Sequence, residues 1–592
     1  MTTRGAAPPK AWRLRSGPAA RAFGAGGAVT DLGLAPCVGD FLAARGIASA
    51  AAARAYLRPR VDHLLDPFRL AGMDAAVGRL ARALEAGERV FVHGDYDVDG
   101  MCGAALFTRV LRRLGADVVP FVPHRTRDGY DLGPAGVARA EAAGASVLLT
   151  VDCGTNAVAA VASASARGID VIVTDHHAVG PDLPDCVALV NPARADCTYG
   201  EPLCGTAVAF KVCEALLMAR AGARQDLLWE LDLVALATVA DLVPLEGENR
   251  VLARYGMRVL AHSRNAGLAA LLRESGADPA ALRVRDLSHG LAPRLNAVGR
   301  LEDAEAGLAF LLGDGEDAPA AARALGDVNR RRQELDRATL EEALASLPAA
   351  ATDGTARSVV VAGTGWHPGV IGIVASRLVE RLHRPTFVIA LPNAAEAPAR
   401  GSGRSIPGFD LVEALAETAP LLRRWGGHAM AAGMDIDPER VDAFRGAFED
   451  AAARRLGADL LAPTVRYDGS LELPALLDQF APVQRHMEPF GVGNPTPSFL
   501  CSGMRVAAPP RPVGRGHLRL RLEQGGRAAE AIGFHFAERW EALERGDTVD
   551  AIVQVREDVW RGRRRRQLRL VDMRPAGADE ARPAAAPSPQ PA

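Results

Sequence analysis

The chain has no hydrophobic run long enough to cross a membrane. Its longest apolar stretches reach about 8 to 12 residues, whereas a spanning helix needs roughly 20. The first residues also lack the charged, apolar and small-residue succession of a signal peptide. These two absences predict a cytoplasmic protein with no membrane partner.

Cysteine and lysine are both scarce. Eight cysteines occur among 592 residues and no two have Cys-x-x-Cys spacing, which argues against a zinc knuckle and a thioredoxin-like redox pair. Lys10 and Lys211 are the two lysines among 69 basic residues, so arginine carries almost all of the positive charge. A net charge of −2 gives no global sign of a polyanionic partner, and charge must be considered segment by segment.

What the chain does contain is enough apolar material for several cores. Hydrophobic residues make up 48% and charged residues 24%, close to an average soluble protein. At about 150 residues per domain, the length of 592 predicts three or four domains. Residues 1–30 and 576–592 are rich in Ala, Gly and Pro without periodicity, and we expect both segments to be disordered.

A doubly wound α/β fold is predicted for the first half of the chain. Three apolar runs, Arg89–His93, Ser146–Val151 and Asp170–Thr174, alternate with segments of helical periodicity. This is the spacing of strand–helix–strand units in a parallel sheet. We therefore expect residues 31–300 to form a helical lead-in followed by a parallel-sheet domain.

Three further units are predicted downstream. A polar helical pattern without turn signals predicts a long connecting helix over residues 301–350. Residues 351–458 predict a second, smaller α/β domain with strands at Ser358–Ala362 and Thr386–Ala390. Short alternating runs separated by Gly and Pro predict a β-barrel or sandwich over residues 459–575.

The barrel segment is the basic part of the chain. Residues 466–574 contain 18 arginines against 14 acidic residues, and the arginine-rich run 561–566 directly follows Trp560. Arginines beside an aromatic ring on a small barrel are typical of the oligonucleotide-binding fold, which holds single strands by charge and stacking. A solvated hairpin tip is the alternative interpretation of this run.

Aspartates and histidines follow each of the three predicted strands. Because the carboxyl ends of parallel strands meet in one crevice, side chains from separate segments should converge there. The residues concerned are His93, Asp95, Asp97 and Asp99 after the first run, Asp152 after the second, Asp175, His176 and His177 after the third, and Asp241 after an apolar helical segment.

Such a concentration of carboxylates predicts a metal site. Four or more aspartates in one crevice repel one another unless divalent cations neutralise them. Oxygen ligands with one or two imidazoles suit Mn²⁺ or Mg²⁺ better than tetrahedral zinc. Two ions that share a carboxylate would activate a water and stabilise the leaving oxygen of a phosphoester.

A calcium-binding EF-hand loop is an alternative for the segment that starts at Asp95. That loop needs a bidentate Glu at its twelfth position, but the position is occupied by Leu106 and a strand precedes the loop. Taken alone, Asp152 or the histidine pair would also be compatible with a helix cap or an ordinary turn. The combination of three strand ends favours the metal site.

The motifs HGDYDVDG, VDCGT, TDHH and ADLVPL resemble, in this order, the four motifs of the DHH phosphoesterase superfamily. Within it the chain is similar to the bacterial RecJ-type single-strand-specific exonucleases, because PRLNAVGR, GWHPGVIGIVASRL, GSGRSIPGFDL, GGHAMAAG and PFGVGNPTP also occur in family order. The resemblance spans roughly residues 50–575. It implies a DHH catalytic domain, a DHH-associated domain and a barrel of the oligonucleotide-binding type.

The resemblance also implies roles for individual residues. The metal ligands it implies are Asp97, Asp99, Asp152, His176 and Asp241, with His93 and Asp95 as further ligands and His177 as a catalytic residue. The residues that it implies contact the strand are Arg125, Tyr130, Arg294, Asn296, Arg300, Ser402, Arg404, Ser405 and His428. An ordinary surface loop is the alternative for the segment of Arg125 and Tyr130, and helix-capping glycines are the alternative near His428.

We therefore expect a monomeric Mn²⁺- or Mg²⁺-dependent exonuclease on single-stranded DNA. The 5′-to-3′ polarity, a role in DNA repair and recombination, and cooperation with a helicase and a single-strand-binding protein are implied by the resemblance alone. Two alternatives are a DHH phosphodiesterase for short oligonucleotides or cyclic dinucleotides, which would not need the barrel, and a non-catalytic DNA-binding scaffold. The second is disfavoured because every motif keeps its ligands.

Overall fold

The computed structural model describes residues 10–15 and 32–577, apart from residues 126, 221, 223, 314, 394–396, 561 and 562. In these ranges no helix has both the length and the apolar character to cross a membrane. The first elements are strand β1 (Ala11–Leu14) and helices α1 (Pro36–Ala44), α2 (Ala50–Leu57) and α3 (Met73–Ala86). The prediction of disorder is wrong for residues 11–14, whereas residues 1–9 and 16–30 of that extension and residues 578–592 of the predicted disordered tail lie outside the described residues.

A five-stranded parallel sheet follows, in the order β3-β2-β4-β5-β6. Successive side chains of a strand point to opposite faces of the sheet. In β2, Val90 and Val92 lie in the core on one face and Phe91 lies in the core on the other. The three predicted strands are therefore confirmed. The elements are β2 (Arg89–Gly94), α4 (Val98–Arg113), β3 (Asp117–Phe121), α5 (Pro134–Ala142), β4 (Val147–Val151), α6 (Val158–Ser165), β5 (Asp170–Thr174) and β6 (Ala188–Val190).

Helices complete the first domain and lead into the second. The elements are α7 (Gly205–Ala219), α8 (Arg224–Leu227), α9 (Leu231–Ala240), α10 (Gly247–Leu260), α11 (Ala266–Ser275), α12 (Ala292–Leu301), α13 (Glu305–Leu312), α14 (Ala318–Ala345) and α15 (Ala349–Thr352). The predicted connecting helix is α14, a 28-residue helix that packs against α11, α12 and α16 (Ile371–Leu382). The part of the prediction before residue 318 is wrong, because α13 is a separate helix whose Leu308 and Leu311 lie in the first domain's core.

The second domain is built on a mixed sheet in the order β10-β11-β9-β8-β7. Strands β7 and β8 are parallel, and the other pairs are antiparallel. The two predicted strands are confirmed as β7 and β8. Besides α16, the elements are β7 (Val359–Thr364), β8 (Thr386–Leu391), β9 (Ala399–Arg404), α17 (Leu411–Thr418), β10 (Leu422–His428), β11 (Ala431–Ile436) and α18 (Val441–Arg455).

The predicted barrel is confirmed as a closed five-stranded barrel. Neighbouring strands run β14-β15-β16-β18-β17, and β17 closes the barrel by pairing with β14. The elements are β12 (Thr464–Tyr467), β13 (Gly469–Ser470), α19 (Ala481–Gln484), β14 (Phe499–Val513), β15 (His517–Gln524), β16 (Arg527–Gly533), α20 (Ala537–Trp540), β17 (Thr548–Trp560) and β18 (Arg563–Pro575). The side chains of Trp560 and of residues 561–564, for which we predict a strand contact, lie outside the described part.

The N-terminal elements belong to this barrel rather than to the parallel-sheet domain. Strand β1 pairs in parallel with β12, and Trp12 donates its indole N–H to Asp572 over 2.7 Å. Phe41 of α1 packs edge-on against Phe480, with ring centroids 5.1 Å apart, inside the barrel's core. The predicted unit 31–300 is therefore divided, because α1 and α2 pack on the barrel while α3 packs on the parallel sheet.

Candidate metal centre and strand-binding cleft

The loop between β2 and α4 carries three aspartates into the crevice. Asp97 caps α4, and its Oδ1 accepts the backbone N–H groups of Asp99 over 2.8 Å and Gly100 over 3.2 Å. Capping fixes this carboxylate at a helix N-terminus, where negative charge is favoured. A Cβ at Gly100 would lie 2.2 Å from the backbone nitrogen of Asp95, so the tight return of the chain requires glycine.

Asp99 is held from the opposite side by the start of α7. It is 1% exposed, and its two oxygens accept the backbone N–H groups of Gly205 over 2.7 Å and Thr206 over 2.8 Å. Two N–H donors at a helix N-terminus fix the orientation of a buried carboxylate. The position of Asp99 in the crevice is therefore set by two helices, α4 and α7.

Asp152, His176 and Asp241 complete the centre. His176 Nε2 lies 2.9 Å from a carboxylate oxygen of Asp152, 3.7 Å from Asp99 and 3.8 Å from Asp241. Asp152 has the left-handed backbone angle φ of 65° directly after β4, a conformation that Asp tolerates better than most residues. Three strand ends and the end of α9 thus meet at one point, as the sequence predicts.

His177 lies beside His176, with ring centroids 4.6 Å apart, and contacts Asp175 and Tyr130. Its Nδ1 lies 2.8 Å from Asp175 Oδ1, and its Nε2 lies 2.9 Å from the hydroxyl of Tyr130. Burial alone would lower the pKa of His177, but the hydrogen bond and charge of Asp175 outweigh it and raise the pKa to about 9. Burial would likewise raise the pKa of Asp175, and the contact with His177 instead holds it below its ordinary value.

The donor atoms fall into three groups whose members lie within 4.8 Å of one another. Burial, followed by the charges of neighbouring aspartates, raises the pKa values of Asp95, Asp97, Asp152 and Asp241. The pKa of Asp241 rises to about 8. Oδ1 of Asp95 is buried without a hydrogen-bond donor. The groups are Asp152, Asp175, His176 and His177; Asp99, His176 and Asp241; and Asp95, Asp97 and Asp152.

This donor set fits divalent cations. Carboxylates that repel one another, together with a buried oxygen that accepts no hydrogen bond, are the condition that a cation relieves. Asp152 and His176 each belong to two groups, and the carboxylate of Asp152 could contact more than one ion. The oxygen-rich composition agrees with the expected Mn²⁺ or Mg²⁺.

His93 belongs to none of these groups among the described residues. Its ring is 1% exposed, lies with its centroid 5.2 Å from that of Phe121, and places Nδ1 3.5 Å from the thiol sulfur of Cys153. Burial lowers the pKa of His93 to about 4. The ring therefore stays neutral and packs beneath the centre.

Arginines and an exposed tyrosine line the edge of the crevice. The guanidinium of Arg125 lies over the ring of Tyr96, 5.0 Å from its centroid. Tyr130 is 53% exposed while its hydroxyl contacts His177, so its ring is available beside the centre. Burial, followed by the charge of Arg125, lowers the pKa of Arg300 to about 10. The charges of Arg125, Arg300 and Asp97 therefore act on one another at this edge.

Helix α12 supplies three of the residues that the resemblance implies. Arg300 donates to the carbonyl of Gly369 over 3.3 Å and so reaches the second domain. Asn296 accepts the backbone N–H of Val98 over 3.2 Å and thereby supports the first turn of α4 beside Asp97. Arg294 donates to the carbonyl of Gly290, four residues earlier on the same helical segment. Asn296 thus has a structural role in the metal centre.

Strand β9 presents Ser402 and Arg404, whose side chains are joined by a 3.1 Å hydrogen bond. Arg404 and His428 each pair with Ala431 of β11, from its two sides, so they share one face of the sheet. Burial, followed by the charge of Arg125, lowers the pKa of Arg404. The second domain therefore directs Arg404 towards the side of the crevice that carries Arg125.

One expectation for this segment needs correction. The glycines of GSGRS lie in β9, and a Cβ at Gly403 would lie 2.4 Å from the ring of Phe387. The absence of a side chain at Gly403 leaves room for the ring of Phe387 in the core. The expected strand contact of Ser405 is wrong, because its side chain is buried and donates to the carbonyl of Phe409 over 2.6 Å. Its hydroxyl is therefore used within the domain.

Three family models match the chain: the DHH family N-terminal domain at residues 89–238, the DHHA1 domain at residues 356–454 and the RecJ OB domain at residues 467–572. The curated protein "Single-stranded-DNA-specific exonuclease RecJ" of Salmonella typhimurium is 38% identical over 85% of this chain and 89% of its own length. Its counterpart in Bacillus subtilis is 34% identical over 92% of this chain and 68% of its own length.

The chain belongs to the RecJ family. Crystal structures of RecJ from Thermus thermophilus agree with this assignment across the whole architecture. The structure in complex with Mn²⁺ has a TM-score of 0.81 at 32% identity and covers 96% of this chain and 80% of that chain. The structure in complex with Mg²⁺ has a TM-score of 0.76 at 31% identity and covers 96% and 79%. The resemblance inferred from the motifs is confirmed.

The strand pattern places Asp175 in the crevice of this RecJ centre without indicating its specific role. It is 1% exposed, accepts the backbone N–H groups of His176 and Thr155 over 2.7 and 2.9 Å, and orients His177. Its position directly after β5 matches that of Asp152 after β4, which is the signal that could have identified it. No comparable sequence pattern indicates that the backbone N–H groups of Gly205 and Thr206 donate to Asp99.

Proposed function

We propose that this protein is a Mn²⁺- or Mg²⁺-dependent exonuclease that hydrolyses single-stranded DNA from the 5′ end. The observation that carries the proposal is the convergence of four motifs on one buried, mutually repelling carboxylate centre in a chain of the RecJ family. Relatives named as single-stranded-DNA-specific exonucleases, which match 85% or more of this chain, support the substrate, whereas the polarity rests on the family resemblance.

The metal-holding residues in this proposal are Asp95, Asp97, Asp99, Asp152, His176 and Asp241. When bound, Mn²⁺ or Mg²⁺ lowers the pKa of a water and neutralises charge that develops on a phosphodiester. The α4 and α7 backbone donors hold Asp97 and Asp99 in place before any ion arrives. His177, held by Asp175, positions its Nε2 beside the hydroxyl of Tyr130. We assign His93 to packing beneath the centre.

The strand-binding residues lie on both sides of the crevice. We propose that Arg125 and Arg300 bind the terminal 5′ phosphate, since a guanidinium fork fits phosphate oxygens. Tyr130 offers an exposed ring on which a terminal base stacks. Ser402, Arg404 and His428 bind backbone phosphates from the second domain.

Further parts of the proposal concern the setting of the reaction. All eight cysteines are unpaired thiols, which suits the reducing cytoplasm. Because one chain supplies every motif of the centre, we propose that the protein acts as a monomer. A role in DNA repair and recombination, in which a helicase and a single-strand-binding protein supply and cover the strand, follows from the family resemblance.

The test is digestion of 40-nucleotide strands labelled at either the 5′ or the 3′ end, alone or annealed into blunt duplexes. With Mn²⁺ or Mg²⁺, the 5′ label should appear at once as a mononucleotide, and the 3′-labelled strand should shorten progressively. Duplexes and reactions with a chelator should stay intact, and Asp152→Ala is the inactive control. Immediate release of the 3′ label would overturn the polarity, and equal digestion of duplexes would overturn the strand preference.

A further inference from the structure

Among the described residues, no hydrogen-bond donor holds the carboxylate of the metal ligand Asp241. This residue directly follows the end of α9, and its carboxylate lies 3.8 Å from His176 Nε2. Asp97 and Asp99, by contrast, each accept two backbone N–H groups. The position of Asp241 in the centre therefore depends on the path of the backbone around it.

The backbone directly after Asp241 is strained. Leu242 has a left-handed φ of 61°, which is unfavourable for a residue with a Cβ. Its side chain is 63% exposed, so burial of the leucine does not offset the strain. Such a conformation persists where the surrounding structure fixes the chain. The loop of Asp241 is therefore fixed by contacts that lie beyond Leu242.

A loop of the barrel domain provides such contacts. It consists of residues 489–494, and we call it the PFGVGN loop. The backbone N–H of Leu245 donates to the carbonyl of Val492 over 2.8 Å. A Cβ at Gly493, whose φ is 72°, would lie 2.9 Å from Cβ of Pro244. Glycine is therefore required for the close approach of the two loops, just three residues after Asp241.

The PFGVGN loop is itself held by the barrel domain. Asn494 is 2% exposed, and its side-chain amide donates to the carbonyls of Met487 over 3.0 Å and Pro489 over 2.7 Å. Its Oδ1 accepts the hydroxyl of Tyr56 over 2.9 Å and the guanidinium of Arg45 over 3.2 Å. Tyr56 lies in α2 and Arg45 directly follows α1, the two helices that pack on the barrel. A loop fixed by buried hydrogen bonds therefore contacts the loop of Asp241.

We propose that the PFGVGN loop positions Asp241 for metal binding, so that the barrel domain completes the metal centre. This inference rests on the proposed function, because it concerns the ions that the exonuclease uses. The loop acts through the backbone of residues 242–245. Without this contact, Asp241 is less confined to the place where its donor atom meets those of Asp99 and His176. Partners that orient a metal ligand typically contribute about 10- to 100-fold to metal affinity.

The first test uses the wild-type protein and the reciprocity of linked equilibria. If the contact between the loops favours Mn²⁺ binding, bound Mn²⁺ must stabilise that contact by the same factor. Hydrogen exchange of residues 490–494 should therefore slow when Mn²⁺ replaces a chelator. Residues 524–527, in the hairpin between β15 and β16, are the control and should exchange equally in both conditions. Equal slowing of both segments, or no change in residues 490–494, would overturn the proposal.

The second test compares two glycine replacements in the full-length protein. Gly493→Ala places a Cβ against Pro244 at a φ of 72°. Gly526→Ala is the matched control, because its φ is 75° and, among the described residues, nothing lies within 4 Å of the new Cβ. In calorimetric titration without DNA, Gly493→Ala should weaken one step of Mn²⁺ binding about 10-fold, whereas Gly526→Ala should bind Mn²⁺ like wild type. Equal affinities of the two variants would overturn the proposal.

A double-mutant cycle shows whether the loop acts through Asp241. In an Asp241→Asn background, Gly493→Ala should change the remaining Mn²⁺ affinity less than about twofold. A further loss of about 10-fold would show that the loop acts elsewhere and would overturn the proposal. Thermal unfolding in chelator shows whether each variant is folded, and the exchange test on wild type decides if Gly493→Ala is not.

Cleavage of single-stranded DNA separates positioning from a catalytic effect. Gly493→Ala should need about 10-fold more Mn²⁺ than wild type for its half-maximal rate and should reach the wild-type rate at saturating Mn²⁺. An unchanged Mn²⁺ requirement would overturn this inference alone. Absence of both Mn²⁺ binding and cleavage in wild type would instead overturn the proposed function.

Discussion

Replacing Asp152 by Asn should have opposite effects on the metal-free and the metal-loaded protein. The change keeps the shape of the side chain, its tolerance of the φ of 65°, and an oxygen that can contact His176. It removes one charge from a centre in which the donor atoms of Asp95, Asp97 and Asp152 lie within 4.8 Å of one another. The variant therefore isolates charge from packing.

The magnitude follows from these distances. Two full charges 4.8 Å apart repel by roughly 3 kcal/mol at an effective dielectric constant of about 20. Burial, followed by the charges of Asp99 and Asp97, raises the pKa of Asp152 well above its ordinary value, because both disfavour the charged form of this carboxyl in the metal-free centre. We expect metal-free Asp152→Asn to be more stable than wild type by about 1–2 kcal/mol.

The assay is thermal unfolding with chelator and with increasing Mn²⁺, next to a nuclease assay. Without metal the variant should unfold at a higher temperature than wild type. With Mn²⁺ the wild type should gain stability in proportion to ion binding, while the variant gains little and loses at least about 100-fold in activity. Ser405→Ala, away from the centre, is the control for the metal response. A metal-free variant less stable than wild type, or an unchanged response to Mn²⁺, would show that Asp152 neither repels its neighbours nor holds an ion.

Three further predictions concern other parts of the molecule. Arg125→Ala should erase most of the preference for a 5′-phosphorylated over a 5′-hydroxyl strand, a loss of about 10- to 100-fold, whereas Tyr130→Ala should slow cleavage of both strands alike. Cleavage kinetics on the two strands test this, and a preference retained in Arg125→Ala would show that Arg125 does not bind the terminal phosphate. Burial raises the pKa of Asp232 to about 6, so the folded protein binds a proton more tightly than the unfolded chain and stability is lost as pH rises from about 4 to 6. Asp232→Asn should remove that loss, so that the variant is more stable than wild type by about 3 kcal/mol at pH 7 and shows no gain at pH 4. Thermal unfolding that shows the same difference at both pH values would contradict this prediction. Arg250→Met should destabilise the contact between α10 and the barrel by about 3 kcal/mol, because the guanidinium donates to the carbonyls of Tyr56, His486 and Glu488. Arg258→Met on the same helix is the control in thermal unfolding, and equal stability of the two variants would show that Arg250 does not stabilise this contact.

The metal centre could be predicted because its signals are local. Each ligand comes directly after an apolar run, and in a parallel sheet the ends of such runs must meet. Asp97, Asp152 and His176 therefore needed no knowledge of tertiary contacts. Asp175 lies in the same place, but its role depends on a hydrogen bond to His177, which the sequence pattern does not show.

Two strands of the parallel sheet escaped prediction for physical reasons. Strand β3 begins with a charged residue and contains Pro120, which is acceptable because β3 lies at the edge of the sheet, where one side of the backbone needs no partner. Strand β6 has three residues, too few for any period to be visible. Both segments are strands because they pair with a neighbouring strand, β3 with β2 and β6 with β5, and their own sequences show no strand pattern.

Contacts between distant segments could not be predicted either. The packing of Phe41 against Phe480 joins residues far apart in sequence, and the apolar periodicity of α1 shows that a face is buried without showing where. The inward hydrogen bond of Ser405 likewise depends on the path of the chain to Phe409. Patterns identify which residues bear chemistry, and tertiary structure decides which of them face the substrate.

The most direct test of the central claim is cleavage of a strand that carries one sulfur in place of a non-bridging oxygen at its first phosphodiester. If the carboxylate centre holds the ions that act on this phosphate, the two diastereomers should differ with Mg²⁺, and one should resist cleavage because a hard ion binds sulfur poorly. The softer Mn²⁺ should restore cleavage of the resistant diastereomer. Equal cleavage of both diastereomers with Mg²⁺, or resistance that Mn²⁺ does not relieve, would contradict the account.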